Sequence, residues 1–196
     1  MEKPRKTSPP SCCPHRTGFG NDVHRLEAGR ALVLGGVRIP FSLGPAGHSD
    51  GDALAHAVCD ALLGAAALGD IGTHFPDTSR RWHNASSLTF LRQARALLKK
   101  AGYRIVNLDA TISLERPKLA PYIFEMRNKL AQALGVSVCQ VSVKAKTGEG
   151  KDAVGRGEAI RADAIALIEI LPSSLHSTTA FPRGRRLNLR EPDRDS

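Results

Sequence analysis

The sequence predicts a single α+β domain in which helices pack on one face of a mixed β-sheet. Apolar and polar residues alternate cleanly over 104–114 and again over 141–146, which is typical of half-buried strands. Between the predicted strands, apolar residues recur at helical spacing. The helices are expected on one face of the sheet, so the other face needs a cover, which a partner subunit would supply.

The first half of the chain predicts two strand segments and one helix. A strand is expected over 16–24, and a second strand or hairpin arm over 31–40 around a Gly-Gly pair. Ser49 or Asp50 is expected to cap a helix that runs to about Ala67.

The second half alternates helices with strands. Ser86 or Ser87 is expected to cap a helix that ends at Gly102, and Pro121 and Gly135 bracket another. The strand between these helices is expected to turn inward Val106, Leu108, Ala110, Ile112 and Leu114. The last segment, 158–170, reads as a strand, although its composition also permits a helix.

Length and composition bound the class of protein. The length of 196 residues predicts one domain over 16–171, flanked by a disordered arm over 1–15 and a disordered tail over 172–196. The four cysteines have no framework spacing, which predicts a reducing, cytoplasmic compartment. We expect no membrane association, because no apolar stretch is long enough to span a bilayer. The net charge of +9 reflects either a solvated basic surface, which is the commoner case, or a site for an acidic partner. No aromatic residues interleave with the basic ones, so nucleic acid is not expected.

A candidate metal site combines a strand with a helix. Asp22 and His24 are two residues apart, which places both side chains on one face of a strand, and His56 lies in the first helix. One carboxylate and two imidazoles leave a fourth position open, as in catalytic zinc sites. The alternative is a chance Asp-x-His and a packed helical histidine. Asp52 and Asp60 lie four residues either side of His56, where one of them would orient its imidazole. The alternative for Asp50 and Asp52 is ordinary helix capping.

Two loops have residues suited to phosphate. The loop over 69–77 combines glycines with carboxylates, and is either a helix stop or a ligand loop. The segment 144–150 ends a strand with lysines, a threonine and glycines but lacks the P-loop spacing. Arg156 lies between two glycines, where it either binds phosphate or pairs with Glu158.

Taken together, these segments resemble the 2-C-methyl-D-erythritol 2,4-cyclodiphosphate synthase family. The resemblance covers about residues 16–171 in continuous order. The matching strings are Asp22-Val23-His24, His48-Ser49-Asp50-Gly51-Asp52 with His56, Asp70-Ile71-Gly72, Phe75-Pro76-Asp77, Arg116-Pro117-Lys118, Lys144-Ala145-Lys146-Thr147, Glu149 and Gly155-Arg156-Gly157-Glu158.

The resemblance implies a homotrimeric lyase of the non-mevalonate isoprenoid pathway with active sites between adjacent subunits. The reaction would convert 4-diphosphocytidyl-2-C-methyl-D-erythritol 2-phosphate to the 2,4-cyclodiphosphate and release CMP. The resemblance implies Zn²⁺ on Asp22, His24 and His56, a second ion (Mg²⁺ or Mn²⁺) on the diphosphate, and transition-state stabilisation by His48 and Thr147. It implies substrate contacts from Asp22, His24, His48, Ser49, Asp70, Ile71, Gly72, Phe75, Asp77, Pro117, Lys118, Lys146, Thr147, Gly148, Glu149 and Arg156.

Two other functions fit the same residues. A zinc phosphohydrolase acting on nucleotide diphosphates would use similar cations, but it would need a base to activate water. A non-catalytic module would bind zinc and a cytidine nucleotide without converting either. The products formed from the substrate distinguish all three.

Overall fold

The computed structural model describes residues 14–47, 49–76, 79, 82 and 85–171. Of the arm predicted over 1–15, Pro14 and His15 are described, and His15 already begins the first strand. The rest of that arm and the tail predicted over 172–196 lie outside the described residues.

A five-stranded mixed sheet forms the centre of the domain. Its strands are β1 (His15–Ala28), β4 (Leu43–Pro45), β5 (Tyr103–Ser113), β6 (Val141–Lys146) and β7 (Ala159–Ile170). The order is β4-β1-β7-β5-β6, and only β5 and β6 pair in parallel. Two short strands, β2 (Leu32–Leu34) and β3 (Val37–Ile39), form a separate hairpin around the predicted Gly-Gly pair. The segment 158–170 is therefore a strand, since β7 pairs along both of its edges.

The helices are α1 (Ala53–Ala65), α2 (Ile71–His74), α3 (Ser87–Lys100) and α4 (Ile123–Leu134), with 3₁₀ turns at Ala120–Tyr122 and Val138–Gln140. The predicted cap of α1 was wrong, because Asp52 is the N-cap and its side chain accepts the Ala55 N–H. Gly135 ends α4 in the left-handed conformation, as predicted. No helix within the described ranges is both long and apolar enough to cross a membrane.

The two faces of the sheet differ sharply. Along β7 the core-facing residues Ile160, Ala162 and Ala164 are almost fully buried, and α1 packs against this face and against β1. The other face carries Phe19, Val23 and Ile165, which are 60, 59 and 52% exposed. The α+β prediction with helices on one sheet face is thus confirmed. We predicted partner subunits on the exposed face, and we call it the open face below.

One residue of β5 departs from the predicted alternation. The register of β5 against β7 shifts between Ile105 and Asn107, so Val106 forms a bulge. As a result Ile105 is buried and Val106 is only partly buried, although Val106 was expected in the core. The expectation was correct for Leu108, Ala110, Ile112 and Leu114.

Helix α1 lies unusually close to β1. A Cβ atom on Gly20 would lie 2.2 Å from the Ala57 carbonyl oxygen, and one on Gly18 would lie 2.1 Å from that of Ala61. Only glycine permits this approach of helix to strand. It brings the first turns of α1 beside the next two core-facing positions of β1, Asp22 and His24.

Candidate active site and metal centre

Three side chains predicted as metal ligands meet between β1 and α1. The Nδ1 atoms of His56 and His24 lie 2.9 and 3.1 Å from the same oxygen, Asp22 Oδ2. One donor atom from each residue lies within 4.8 Å of the other two. Ligand atoms around tetrahedral zinc lie about 3.3 Å apart, given bonds of about 2.0–2.1 Å. The three residues are therefore close enough to share one ion, and we call this group of side chains the metal cluster.

His24 provides a second indication that the cluster suits a metal. Its Nδ1 is buried, and within the described part of the chain it has no hydrogen-bond partner, because its approach to Asp22 lacks hydrogen-bond geometry. A buried polar nitrogen without a partner is costly unless a ligand satisfies it. Together with a carboxylate and a second imidazole, this nitrogen completes a donor set that fits Zn²⁺.

The remaining nitrogen of His56 contacts a residue that sequence reasoning missed. His56 Nε2 lies 2.8 Å from Ser87 Oγ, and Ser87 Oγ in turn contacts Asp50 Oδ1. Ser87 is the first residue of α3 and is fully buried. It is 31 residues away from His56, so no local pattern in the sequence could reveal the contact.

The acidic residues that flank His56 do not orient its imidazole. Asp52 accepts the N–H groups of Gly35, Gly36 and Ala55, at 2.8, 2.6 and 3.0 Å. Asp60 accepts the Ile71 N–H at 2.7 Å. Asp52 therefore caps α1, which is the alternative that the sequence left open. Neither carboxylate hydrogen-bonds to His56, and both join separate segments of backbone instead.

Electrostatics favour an ionised carboxylate in the cluster. Burial of Asp22 opposes its ionisation, but the two imidazoles beside it outweigh burial and lower its pKa to about 2. Burial alone would lower the pKa of His56, yet its hydrogen bond to Asp22 and the charge of that group raise it. Asp22 is thus an anion at neutral pH.

The cluster opens into a cavity of about 430 Å³. The predicted substrate residues that line it are His24, Ser49, Ile71, Gly72 and Phe75. An aromatic wall not anticipated from the sequence completes the cavity: Phe75 stacks on Phe90 at 4.9 Å, and Trp82 meets both rings edge-on. This shape offers an apolar pocket next to a cation site.

Asp70 lies at the edge of this region as the N-cap of α2. Its carboxylate accepts both the backbone N–H and the hydroxyl of Thr73, each at 2.7 Å. Two further predicted residues, His48 and Asp77, lie outside the described residues.

The other predicted substrate residues lie elsewhere in the chain. None of Pro117, Lys118, 146–149 and Arg156 lines the cavity beside the metal cluster. Lys146 ends β6 next to Ser113, and the Gly148 N–H donates to Glu115. Arg156 is exposed and forms a two-pronged ion pair with Glu158, which is the alternative that the sequence left open. We call the loops that carry Lys118, Lys146 and Arg156 the cation-rich loops. Within one chain, these loops do not share a cavity with the metal cluster.

Comparison with known proteins identifies the family. The model of the YgbB family matches residues 15–169, which is most of the chain. The chain belongs to the YgbB family. The family match begins at the first residue of β1 and ends one residue before the end of β7, so it takes in nearly the whole sheet and every described helix.

Several known proteins are similar to this chain over nearly their whole length. A 2-C-methyl-D-erythritol 2,4-cyclodiphosphate synthase from Syntrophomonas wolfei is 53% identical over 154 residues, which cover 79% of this chain and 98% of that protein. A solved CDP-bound form of such a synthase is 40% identical, with a TM-score of 0.73 over 79% of this chain and 100% of that one. The CDP complex of IspF from Plasmodium falciparum is 34% identical, with a TM-score of 0.71 over 80% and 97%.

Proposed function

We propose that this chain converts 4-diphosphocytidyl-2-C-methyl-D-erythritol 2-phosphate to 2-C-methyl-D-erythritol 2,4-cyclodiphosphate and CMP, in the non-mevalonate route to isoprenoids. The observation that carries the proposal is the convergence of Asp22, His24 and His56 beside an apolar cavity. Relatives that are named for this activity match nearly their whole length to the same domain. The unpatterned cysteines support a cytoplasmic setting.

The metal ligands are Asp22, His24 and His56 in this proposal, and Zn²⁺ is the ion that their chemistry suits. When bound, the ion would act as a Lewis acid that offsets negative charge on the diphosphate. The chain's own contribution is to hold the donors in place. Asp22 remains ionised at neutral pH because the adjacent imidazoles depress its pKa.

The reaction requires no protein nucleophile. An oxygen of the substrate's 2-phosphate attacks the β-phosphorus, and the bond from that phosphorus to the oxygen bridging the two phosphates breaks. CMP leaves with the bridging oxygen and its electron pair. The protein must therefore fold the substrate so that its ends meet, and well-oriented intramolecular reactions reach effective molarities of about 10⁵ M or more.

The cavity is suited to this folding task. Phe75, Trp82 and Phe90 form an apolar wall, and Ile71 and Gly72 line the cavity with them. We assign this wall to the methylerythritol part of the substrate, because it offers apolar contact.

The attacking and the attacked phosphates are both anionic, so the site must offset their repulsion. We assign this role to Lys146, to the hydroxyl of Thr147 and to His48, together with a second ion, Mg²⁺ or Mn²⁺, on the diphosphate. Pro117, Lys118, Gly148, Glu149 and Arg156 complete the proposed substrate contacts, with Ser49, Asp70 and Asp77. Many of these residues lie away from the metal cluster of their own chain, so an adjacent copy would supply them.

The open face of the sheet supports a homotrimer. Phe19, Val23 and Ile165 expose more than half of their surface there, although large apolar side chains are usually covered. Three copies that pack these faces together would cover them. The same packing would bring the cation-rich loops of one copy to the metal cluster of the next.

Phosphorus NMR of the incubated substrate tests the proposed function against its rivals. We expect two new coupled resonances from the cyclic diphosphate and one from CMP. Inorganic phosphate or a linear monophosphate would instead indicate a phosphohydrolase. Unchanged substrate in the presence of zinc and magnesium would indicate a binding module.

A further inference from the structure

We propose that Ser87 is a positioning residue for the metal site. Its hydroxyl links the carboxylate of Asp50 to Nε2 of His56, and we call this chain of hydrogen bonds the relay. The relay leaves Nδ1 of His56 as the nitrogen that binds the ion. This inference deepens the proposed function and rests on its metal site. Neither Ser87 nor Asp50 is among the substrate or metal residues predicted from the sequence.

The relay follows from counting hydrogen-bond donors and acceptors. Both oxygens of Asp50 accept: Oδ2 takes the Ser87 N–H at 2.9 Å, and Oδ1 takes the Asp52 N–H at 3.3 Å. The Ser87 hydroxyl has one proton, and it donates that proton to Asp50 Oδ1, because an ionised carboxylate can only accept. Ser87 Oγ can then only accept from His56 Nε2, 2.8 Å away.

This arrangement decides which nitrogen of His56 is available. If Nε2 carries the hydrogen that Ser87 accepts, a neutral imidazole must have its lone pair on Nδ1. Nδ1 is the nitrogen that faces Asp22 Oδ2, at 2.9 Å. The opposite tautomer would leave Ser87 Oγ and Nε2 as two acceptors in contact, without a proton between them.

Burial makes the relay difficult to replace. Ser87 has no solvent exposure, and the side chain of His56 is 12% exposed, so solvent has little access to their contact. Ser49 Oγ also lies near Nε2, but at 3.4 Å, and it already accepts the Gly51 N–H. Ser87 is therefore the principal partner of this nitrogen among the described residues.

Ser87→Ala removes the hydroxyl but keeps the backbone N–H that Asp50 accepts, so we expect the variant to fold. Outer-shell partners of ligating histidines typically contribute 10–100-fold to metal affinity. We expect the zinc affinity of the metal-free protein, measured by competition with a chromophoric chelator, to fall by about that factor. Ser86→Ala is the matched control, because Ser86 makes no side-chain capping bond and its loss should leave the affinity unchanged.

A second measurement tests the relay in the wild type as well as in the variant. In the zinc-loaded, ¹⁵N-histidine-labelled wild type, we expect the Nε2–H proton of His56 to exchange slowly with water, and in Ser87→Ala to exchange fast. A wild-type proton that exchanges as fast as that of half-exposed His15 would overturn the relay. Wild-type zinc affinity in Ser87→Ala would also overturn it. Both measurements are made without substrate, so failure of the relay leaves wild-type turnover intact, whereas failure of the proposed function would appear as absent product in the wild type.

Discussion

Asp22 Oδ2 lies 2.9 Å from Nδ1 of His56, although the two residues are 34 positions apart in the chain. The contact joins a strand to a helix, and it exists because α1 rests directly on the backbone of β1. Gly20, two residues before Asp22 and on the same face, permits that approach. The metal cluster therefore depends on a glycine that would bind nothing itself.

Gly20→Ala should separate these two elements. The new Cβ would overlap backbone atoms of α1, so the helix must shift outward and take His56 with it. We expect a loss of roughly 1–3 kcal/mol in the free energy of unfolding, as is typical of overpacked cores. Zinc affinity should fall as well, because the donors no longer converge. Urea denaturation and zinc titration of the same sample measure both effects.

Gly64→Ala is the control for that substitution. Gly64 lies in α1, but its nearest neighbour to a new Cβ, the Phe19 carbonyl oxygen, is 4.0 Å away. Alanine there should leave zinc binding intact and stabilise the helix by about 0.5–1 kcal/mol. Equal losses of zinc affinity in the two variants would contradict the role given to Gly20.

His56→Ala should abolish zinc binding and nearly all turnover while the fold persists. The substitution removes one of three ligands but leaves the apolar contacts of α1 in place. Metal content, circular dichroism and product formation in metal-depleted buffer measure the three expectations. His15→Ala is the control, since His15 is half exposed and pairs with Glu169 at the far end of β1. Wild-type activity of His56→Ala would count against the assignment.

Asp52 should give the fold a characteristic dependence on pH. Its complete burial raises its pKa to about 6 from 3.8, although three backbone N–H groups favour the ionised form. The folded state thus holds the proton more tightly than the unfolded chain. Protonated Asp52 therefore adds on the order of 3 kcal/mol to the free energy of unfolding below about pH 4. This stabilisation is lost as the pH rises through 6.

Comparing the wild type with Asp52→Asn isolates this contribution. The difference between their unfolding free energies, measured by urea denaturation at several pH values, should shrink as the pH rises from 4 to about 6.5. At every pH the variant should be less stable, because its amide nitrogen cannot accept the backbone N–H groups of the β2–β3 turn and α1. A difference that stays constant over this range would refute the assigned pKa.

The open face of the sheet should hold the subunits together. Ile165→Glu puts a charge in the middle of that face, and we expect it to convert a trimer into monomers and to remove activity. Sedimentation velocity and product formation measure the two effects. Phe124→Glu is the matched control, because Phe124 is 67% exposed but lies on α4, away from the open face. A trimer that survives Ile165→Glu and not Phe124→Glu would place the interface elsewhere.

Local patterns predicted the regular elements well. The alternation over 104–114 correctly predicted β5, because one face of that strand is buried and the other is not. It could not reveal the bulge at Val106, which arises from pairing with β7 about 60 residues later. The N-cap of α1 was predicted wrongly for a similar reason. The carboxylate of Asp52 also accepts the N–H groups of Gly35 and Gly36, which only the folded chain brings near.

The candidate metal residues were predictable because they form local patterns in the sequence. Asp22 and His24 share a strand face, and His56 follows a recognisable motif. Ser87 and Trp82 carry no such signal, since a serine at a helix start and an aromatic residue in a loop are common. The place of Ser87 follows from the packing of α3 against α1, and that of Trp82 from its contacts with Phe75 and Phe90. Both kinds of packing are long-range information.

Anomalous diffraction at the zinc absorption edge, from crystals of the zinc-loaded protein, tests the central claim most directly. We predict one strong peak per chain within about 2.0–2.2 Å of a carboxylate oxygen of Asp22 and of one ring nitrogen each from His24 and His56. A fully occupied zinc peak on other side chains, with none between these three, would contradict the account.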